Sequence, residues 1–448
     1  MSTHTTIAVL VPMHGIGGRQ DLPVPYELAV TGAAVAIALS FVILALAWRS
    51  PKYHRASAGR ALPAAVTATV DAAWFRWAVR AAGLAAFGYA AVALLFGVDR
   101  LTNPIFGFVY IVVWVGLVPL SLVLGPVWRT LNPLRTLHLL ACRALRHDPD
   151  KGVLELSPRI GVWPAAIGIV AFAWLELVAP DRATILVLQS WLTLYLVIMG
   201  LGAVLFGQSW FAAADPFEAY ATLMSKLSPW GRRRSDGAIV ARRPLENVDS
   251  LTPRPGLVAL VAALLGSTAY DGFSGSTFWI GWAQNSGYSM ALLGTLALLG
   301  FVLFVLVTYA AATVLAGRIS DSSRTALPGL FAHSVVPIVL GYVIAHYFTL
   351  LWLEGQRTLI LLSDPLSNGA NVFGTGLLGV NDDIVNQTGV IATVQVGAVV
   401  VGHLLGVVSA HDRAVALFPR AKALAGQLPL LIVMVAYTTG GLLLLFSE

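Results

Sequence analysis

The strongest constraint on this chain is the recurrence of apolar runs long enough to cross a bilayer. A hydrocarbon core of roughly 30 Å needs about 20 residues in helical form. Such runs begin with Leu28–Trp48, Ala81–Gly97, Pro104–Trp128, Ile160–Val178 and Ala183–Phe206. They continue with Gly256–Tyr270, Met290–Gly317, Phe331–Leu353, Val390–Ala410 and Leu428–Phe446. Backbone polar groups cannot stay unpaired in lipid, so the pattern predicts an all-α, polytopic transmembrane helix bundle of about ten spans. The composition agrees, with 57% hydrophobic and 11% charged residues, where a soluble domain carries about a quarter charged. No long polar block separates the runs, so residues 28–446 read as a single transmembrane domain. Residues 1–27 read as an extracytoplasmic N-terminal segment that lacks the basic n-region and cleavage site of a signal peptide.

Basic residues set the orientation. With the N-terminus outside, every lysine and arginine of the 28 falls on the inner side except Arg19, Arg100, Arg182 and Arg357. That asymmetry predicts extracytoplasmic termini in a plasma membrane. The net charge of +6 is thus a topological signal, and nucleic acid is not an expected partner. The bilayer is the expected partner, with a membrane partner subunit or a homo-oligomer left open. One cysteine, Cys142, excludes an intrachain disulfide and a Cys-cluster metal site.

A repeated helical hairpin is expected in the first half. Asp99-Arg100 recurs as Asp181-Arg182, and the Gly125–Trp128 segment recurs as Gly207–Trp210, while Asn132-Pro133 corresponds to Asp215-Pro216. The longest inner connection, 207–255, carries Arg232, Arg233 and Arg234, which suit anionic lipid, and its second half has the composition of a flexible linker. The largest outer connection, 354–388, is rich in Gly, Asn and Asp and is long enough to cover a site.

Polar residues within apolar runs are expensive and mark function. The run Phe331–Gln356 carries His333, His346 and Glu354. At 1.5 Å per residue, His346 lies about 20 Å beyond His333, and Glu354 about 12 Å beyond His346. Asp271 ends the sixth span on the same outer side, and His14 belongs there too. Imidazole and carboxylate together could bind a divalent metal and make its water acidic enough to attack an ester. The candidate catalytic residues are therefore His346, Glu354 and Asp271, and the candidate metal ligands are His14, His346, Glu354 and Asp271. An inner set of His333, His403 and His411 is the alternative. Haem held by His346 and His403 is disfavoured, because the two differ in height along their helices. No HExxH or GxSxG pattern accompanies these residues. Glu176, late in the fourth span, could line a polar path or sit near the outer interface, and the interfacial reading is favoured.

Several of these segments together resemble a known family. HGIGGRQDLP, WRTLNPLRTL, STAYDGFSGSTFW, HSVVPIVLGYVIAHYFTLLWLEGQ and GHLLGVVSAHDRAVALFP are similar to bacterial, largely actinobacterial, multi-pass membrane proteins labelled fenitrothion hydrolase. The resemblance implies hydrolysis of an organophosphorus ester assisted by a divalent metal, and carries no established catalytic residues. The residues also admit a transporter or channel, and a non-catalytic metal- or haem-binding component of a membrane complex.

Overall fold

The computed structural model describes residues 22, 24–53, 59–233, 235–317, 323–419 and 422–446. The first half contains α1 (Tyr26–Ala47), α2 (Ala64–Asp71), α3 (Ala73–Phe96), α4 (Pro104–Gly107), a π-helix (Phe108–Val115), α5 (Leu117–Leu124), α6 (Trp128–Leu131) and α7 (Pro133–Ala144). It continues with α8 (Trp163–Leu177), α9 (Ile185–Phe206), α10 (Ser209–Ala214), α11 (Pro216–Ser225) and α12 (Pro244–Val248). The second half holds α13 (Leu257–Ser274), α14 (Thr277–Asn285), α15 (Met290–Ala316), α16 (Leu327–Phe331), α17 (Val336–Leu361), α18 (Thr388–Leu417) and α19 (Ala423–Leu445).

Among the described residues, eight helices are long and apolar enough to cross a membrane. A ninth candidate is the pair formed by Pro104–Val115 and Leu117–Leu124, bent by 41° at its break. The π-helix occupies the stretch FVYIVVWV, and its wider turn supplies a local cause for the bend. The tenth apolar run forms α8, of only 15 residues. This is a multi-helix membrane protein. Within it α13 and α17 are each 72% buried, whereas α3 is only 11% buried. The former two therefore lie inside the bundle and the latter at its periphery.

Helix α17 packs against α18 through glycine. A Cβ on Gly341 would come 2.4 Å from the Ala398 carbonyl oxygen, and one on Gly402 would come 2.6 Å from that of Pro337. Small residues let helix backbones approach where lipid gives no hydrophobic drive for association.

The segments aligned by the hairpin motif adopt matching conformations. Gly125 and Gly207 take φ of +74° and +66°, values that favour glycine. Each ends a helix, α5 or α9, and leads into a short one, α6 or α10. Asn132 and Asp215 then cap α7 and α11, accepting from backbone N–H groups ahead of a proline at the first turn,. These corresponding residues also touch. Asn132 Nδ2 donates to Asp215 Oδ2 at 2.6 Å, and Arg135 donates to both Glu218 oxygens at 2.6 and 2.8 Å.

The 207–255 connection departs from its reading as a linker. It folds into α10, α11 and α12 and contributes two strands of a small antiparallel sheet, β1 (Arg60–Ala61), β2 (Trp230–Arg232) and β3 (Ile239–Ala241), in the order β1-β3-β2. The ordering has side-chain causes. The Asn247 amide donates to the carbonyls of Ser225, Ser228 and Trp230, and Arg233 clasps Asp236 at 2.6 Å across the turn. Local polar pairing has overridden a composition that favours disorder.

Candidate functional site

The site lies where α8, α13, α17 and the π-helix meet, near the ends of α8 and α13 distant from the small sheet. Asp271 is in the last turn of α13, in the segment TAYDGFS. Its carboxylate oxygen Oδ2 accepts from His346 Nε2 at 2.9 Å and from the Tyr347 hydroxyl at 2.8 Å. His346 is 1% exposed and Asp271 5%, so the pair is sealed from bulk solvent. A carboxylate in such surroundings requires donors, and these two supply them. With Asp271 ionised, the His346 proton sits on Nε2, which fixes the tautomer.

Neighbouring rings hold the imidazole in place. Tyr347 meets it edge-on at 4.9 Å, and Tyr342 stacks on it at 6.2 Å with an interplanar angle of 12°. Tyr342 itself lies against α13 and α19, because a Cβ on Gly272 would meet its hydroxyl at 3.2 Å and one on Gly441 its ring at 3.0 Å. The glycines make room for it.

A second buried carboxyl lies within electrostatic range of the first. Glu176, in the last turn of α8, is buried, and it lies within electrostatic range of both Asp271 and Arg182. Its Oε2 has no hydrogen-bond partner among the described residues. Arg182 is anchored to the same region, donating to the Leu177 carbonyl at 3.3 Å. Its own carbonyl accepts from the Tyr110 hydroxyl of the π-helix at 3.0 Å. The π-helix also contributes Trp114, which stacks between Phe172 and Tyr220 at 4.7 and 5.1 Å. Aromatic walls thus surround two acids, an imidazole and a phenol.

Of the residues singled out from sequence, the structure brings Asp271 and His346 together. Glu354 stands two turns further along α17, with Oε1 3.6 Å from Arg357 Nη1. His14 lies outside the described residues. The inner histidines are separated from one another by their bonds. His333 Nδ1 bonds the Leu330 carbonyl at 3.0 Å, and His403 Nδ1 bonds that of Val399 at 2.8 Å. His411 instead bridges Gln427 at 2.8 Å and the Trp48 carbonyl at 3.0 Å. Its neighbour Asp412 accepts from Trp48 Nε1, Lys52 N and Tyr53 N. This fastens the end of α1 to α18.

Among the described residues no group of three or more His, Cys, Asp or Glu side chains is placed to hold a metal ion. The donor set at the site does not fit one well, since the facing atoms of His346 and Asp271 are bonded to each other. Glu176, which reads as interfacial in the sequence, is instead buried beside Asp271, and Tyr347 was not singled out at all. The signal available for Tyr347 was its adjacency to His346, but neighbours on a helix point about 100° apart, so periodicity does not pair them.

No protein-family model, no curated protein and no solved structure matches the chain.

Proposed function

We propose that this chain is a proton-translocating transporter or channel of the plasma membrane, with ten spans, both termini extracytoplasmic and a repeated hairpin in its first half. The observation that carries the reading is the buried hydrogen bond between Asp271 and His346, within electrostatic range of a second buried carboxyl at Glu176. Ionisable groups sealed inside a membrane bundle are costly, and proton relays are a recurrent use for them. The arrangement can hold one proton between carboxylate and imidazole and pass it towards Glu176, with Arg182 favouring the ionised acid. Tyr342, His333, His403 and His411 are further buried polar side chains on α17, α18 and the turn before α17. The ten spans combine the eight long helices, the bent pair and α8.

The chain reconstituted in liposomes with an internal pH-sensitive dye tests this. An imposed pH gradient should discharge faster than in empty liposomes, and Asp271→Asn should abolish the difference. Equal discharge by the Asn variant would remove Asp271 from the path.

A second reading keeps the resemblance to the fenitrothion hydrolases. A carboxylate that orients an imidazole is also the arrangement of a general base, and Asp271 holds His346 through Nε2,. Hydrolysis of a phosphotriester by purified protein, lost in His346→Ala, would favour this reading over transport. A divalent metal, and participation of Glu354 or His14, belong to this reading and would appear as chelator-sensitive activity.

A further inference from the structure

A second polar cluster lies apart from the buried acids, where α3 begins and α7 ends, on the sheet side of the bundle. The guanidinium carbon of Arg80 lies 5.1 Å from the ring centroid of Trp77, and that of Arg143 lies 4.9 Å from the same ring. Arg76 is one turn before Arg80 on the same face of α3, and Arg80 feels the charge of both Arg76 and Arg143. Among the described residues the ion pairs made by arginine involve Arg135, Arg232, Arg233, Arg357 and Arg413 instead. Asp71, the acid within electrostatic range of Arg76, is held by Arg232 at 2.8 Å.

Three like charges lie close together, two of them at one indole, and they repel one another, so the arrangement calls for an anion. A guanidinium near a ring face still has N–H donors to offer, in a fork that fits phosphate oxygens. Arg76 and Arg143 are exposed and Arg80 is half-buried, so the forks are reachable. Beside them Trp74, Leu137 and Leu140 expose 66%, 43% and 40% of their surface. α7 is amphipathic and turns Leu139 and Cys142 inward. Charge and apolar surface therefore adjoin, as they do at a headgroup boundary.

We propose that Arg76, Arg80 and Arg143 around Trp77 bind the phosphodiester headgroup of an anionic phospholipid, whose acyl chains lie against Trp74, Leu137 and Leu140. The apolar neighbours select a lipid over free phosphate. This site is independent of the transport reading, since neither its residues nor its ligand take part in proton transfer.

The test uses the full chain in nanodiscs of phosphatidylcholine containing graded amounts of phosphatidylglycerol, with the lipid retained on detergent extraction measured by mass spectrometry. Wild-type protein should retain phosphatidylglycerol selectively. Arg80→Gln/Arg143→Gln should weaken that retention about thirtyfold, from about fivefold for each arginine near an anionic surface. Arg80→Lys/Arg143→Lys should recover only part of it, because lysine supplies charge without the fork. Arg146→Gln, an exposed charge outside the cluster, should change nothing. Should the double variant fold poorly, Arg143→Gln alone is read in the same way. Undiminished retention in a folded Gln variant would overturn the proposal. Displacement of the lipid by millimolar inorganic phosphate would also overturn it, assigning the site to the free ion.

Discussion

Replacing Asp271 separates what the site contributes to stability from what it contributes to proton transfer. Asp271→Ala leaves the Nε2–H of His346 and the hydroxyl of Tyr347, now 2.9 and 2.8 Å from the lost oxygen, without that acceptor in a buried position. Each buried donor deprived of its acceptor costs about 1–3 kcal/mol, so the variant should lose about 4 kcal/mol. Asp271→Asn keeps the volume and a carbonyl oxygen that still accepts, so its loss should be about 1 kcal/mol. Its amide cannot take up or release a proton near neutral pH, however, and positioned proton transfer typically contributes about 100-fold or more. The two variants should therefore rank oppositely in unfolding and equally in flux. Alanine should unfold at clearly lower temperature in detergent than asparagine, while both lose proton flux in liposomes. Two results would refute the reasoning: an asparagine variant with wild-type flux, or an alanine variant as stable as the asparagine one.

Other perturbations have equally definite outcomes. Arg135 and Glu218, both about 5% exposed along their side chains, form a bidentate pair that Gln208 supports at 3.0 Å. Glu218→Ala should cost about 3–5 kcal/mol in equilibrium unfolding, and Arg135→Met/Glu218→Leu should restore most of it, because the penalty is the stranded charge. Gly402→Ala should destabilise the α17 and α18 contact by about 1–3 kcal/mol, since the added Cβ meets backbone 2.6 Å away,. Burial and the charge of Glu218 raise the Asp215 carboxyl to about 6 from its ordinary 3.8. The folded state thus binds that proton more tightly than the unfolded chain, so this group's contribution to stability falls as pH rises from about 4 to about 6. The swing should be about 3 kcal/mol, and Asp215→Asn should flatten that part of the stability profile.

Much of the fold was legible because lipid imposes a single solution on an apolar run. The ten runs reappear as the eight long helices, the bent pair and α8. Legibility ended where polar groups pair with each other instead of with solvent. The second half of the 207–255 connection has a linker's composition, yet Asn247 and the Arg233 to Asp236 clasp organise it into helix and strand. The bend after Val115 did leave a residue-type signal, since Gly116 stands at the break and Pro119 has no N–H to bond the Val115 carbonyl,.

For the site, the sequence alone determined that acids and imidazoles lie within apolar runs, because cost in hydrocarbon depends on residue type and position along a helix. It therefore named Asp271 and His346, and rise per residue placed Glu354 two turns away. Only the tertiary structure decided which of them meet. Rotation of α8, α13 and α17 about their own axes is set by packing, including the room that Gly272 and Gly441 leave for Tyr342. That packing joined Asp271 to His346 and Tyr347, brought Glu176 in from the interface, and left Glu354 with Arg357. Partnership across helices is a property of their packed faces, which one strand of residues cannot specify by itself.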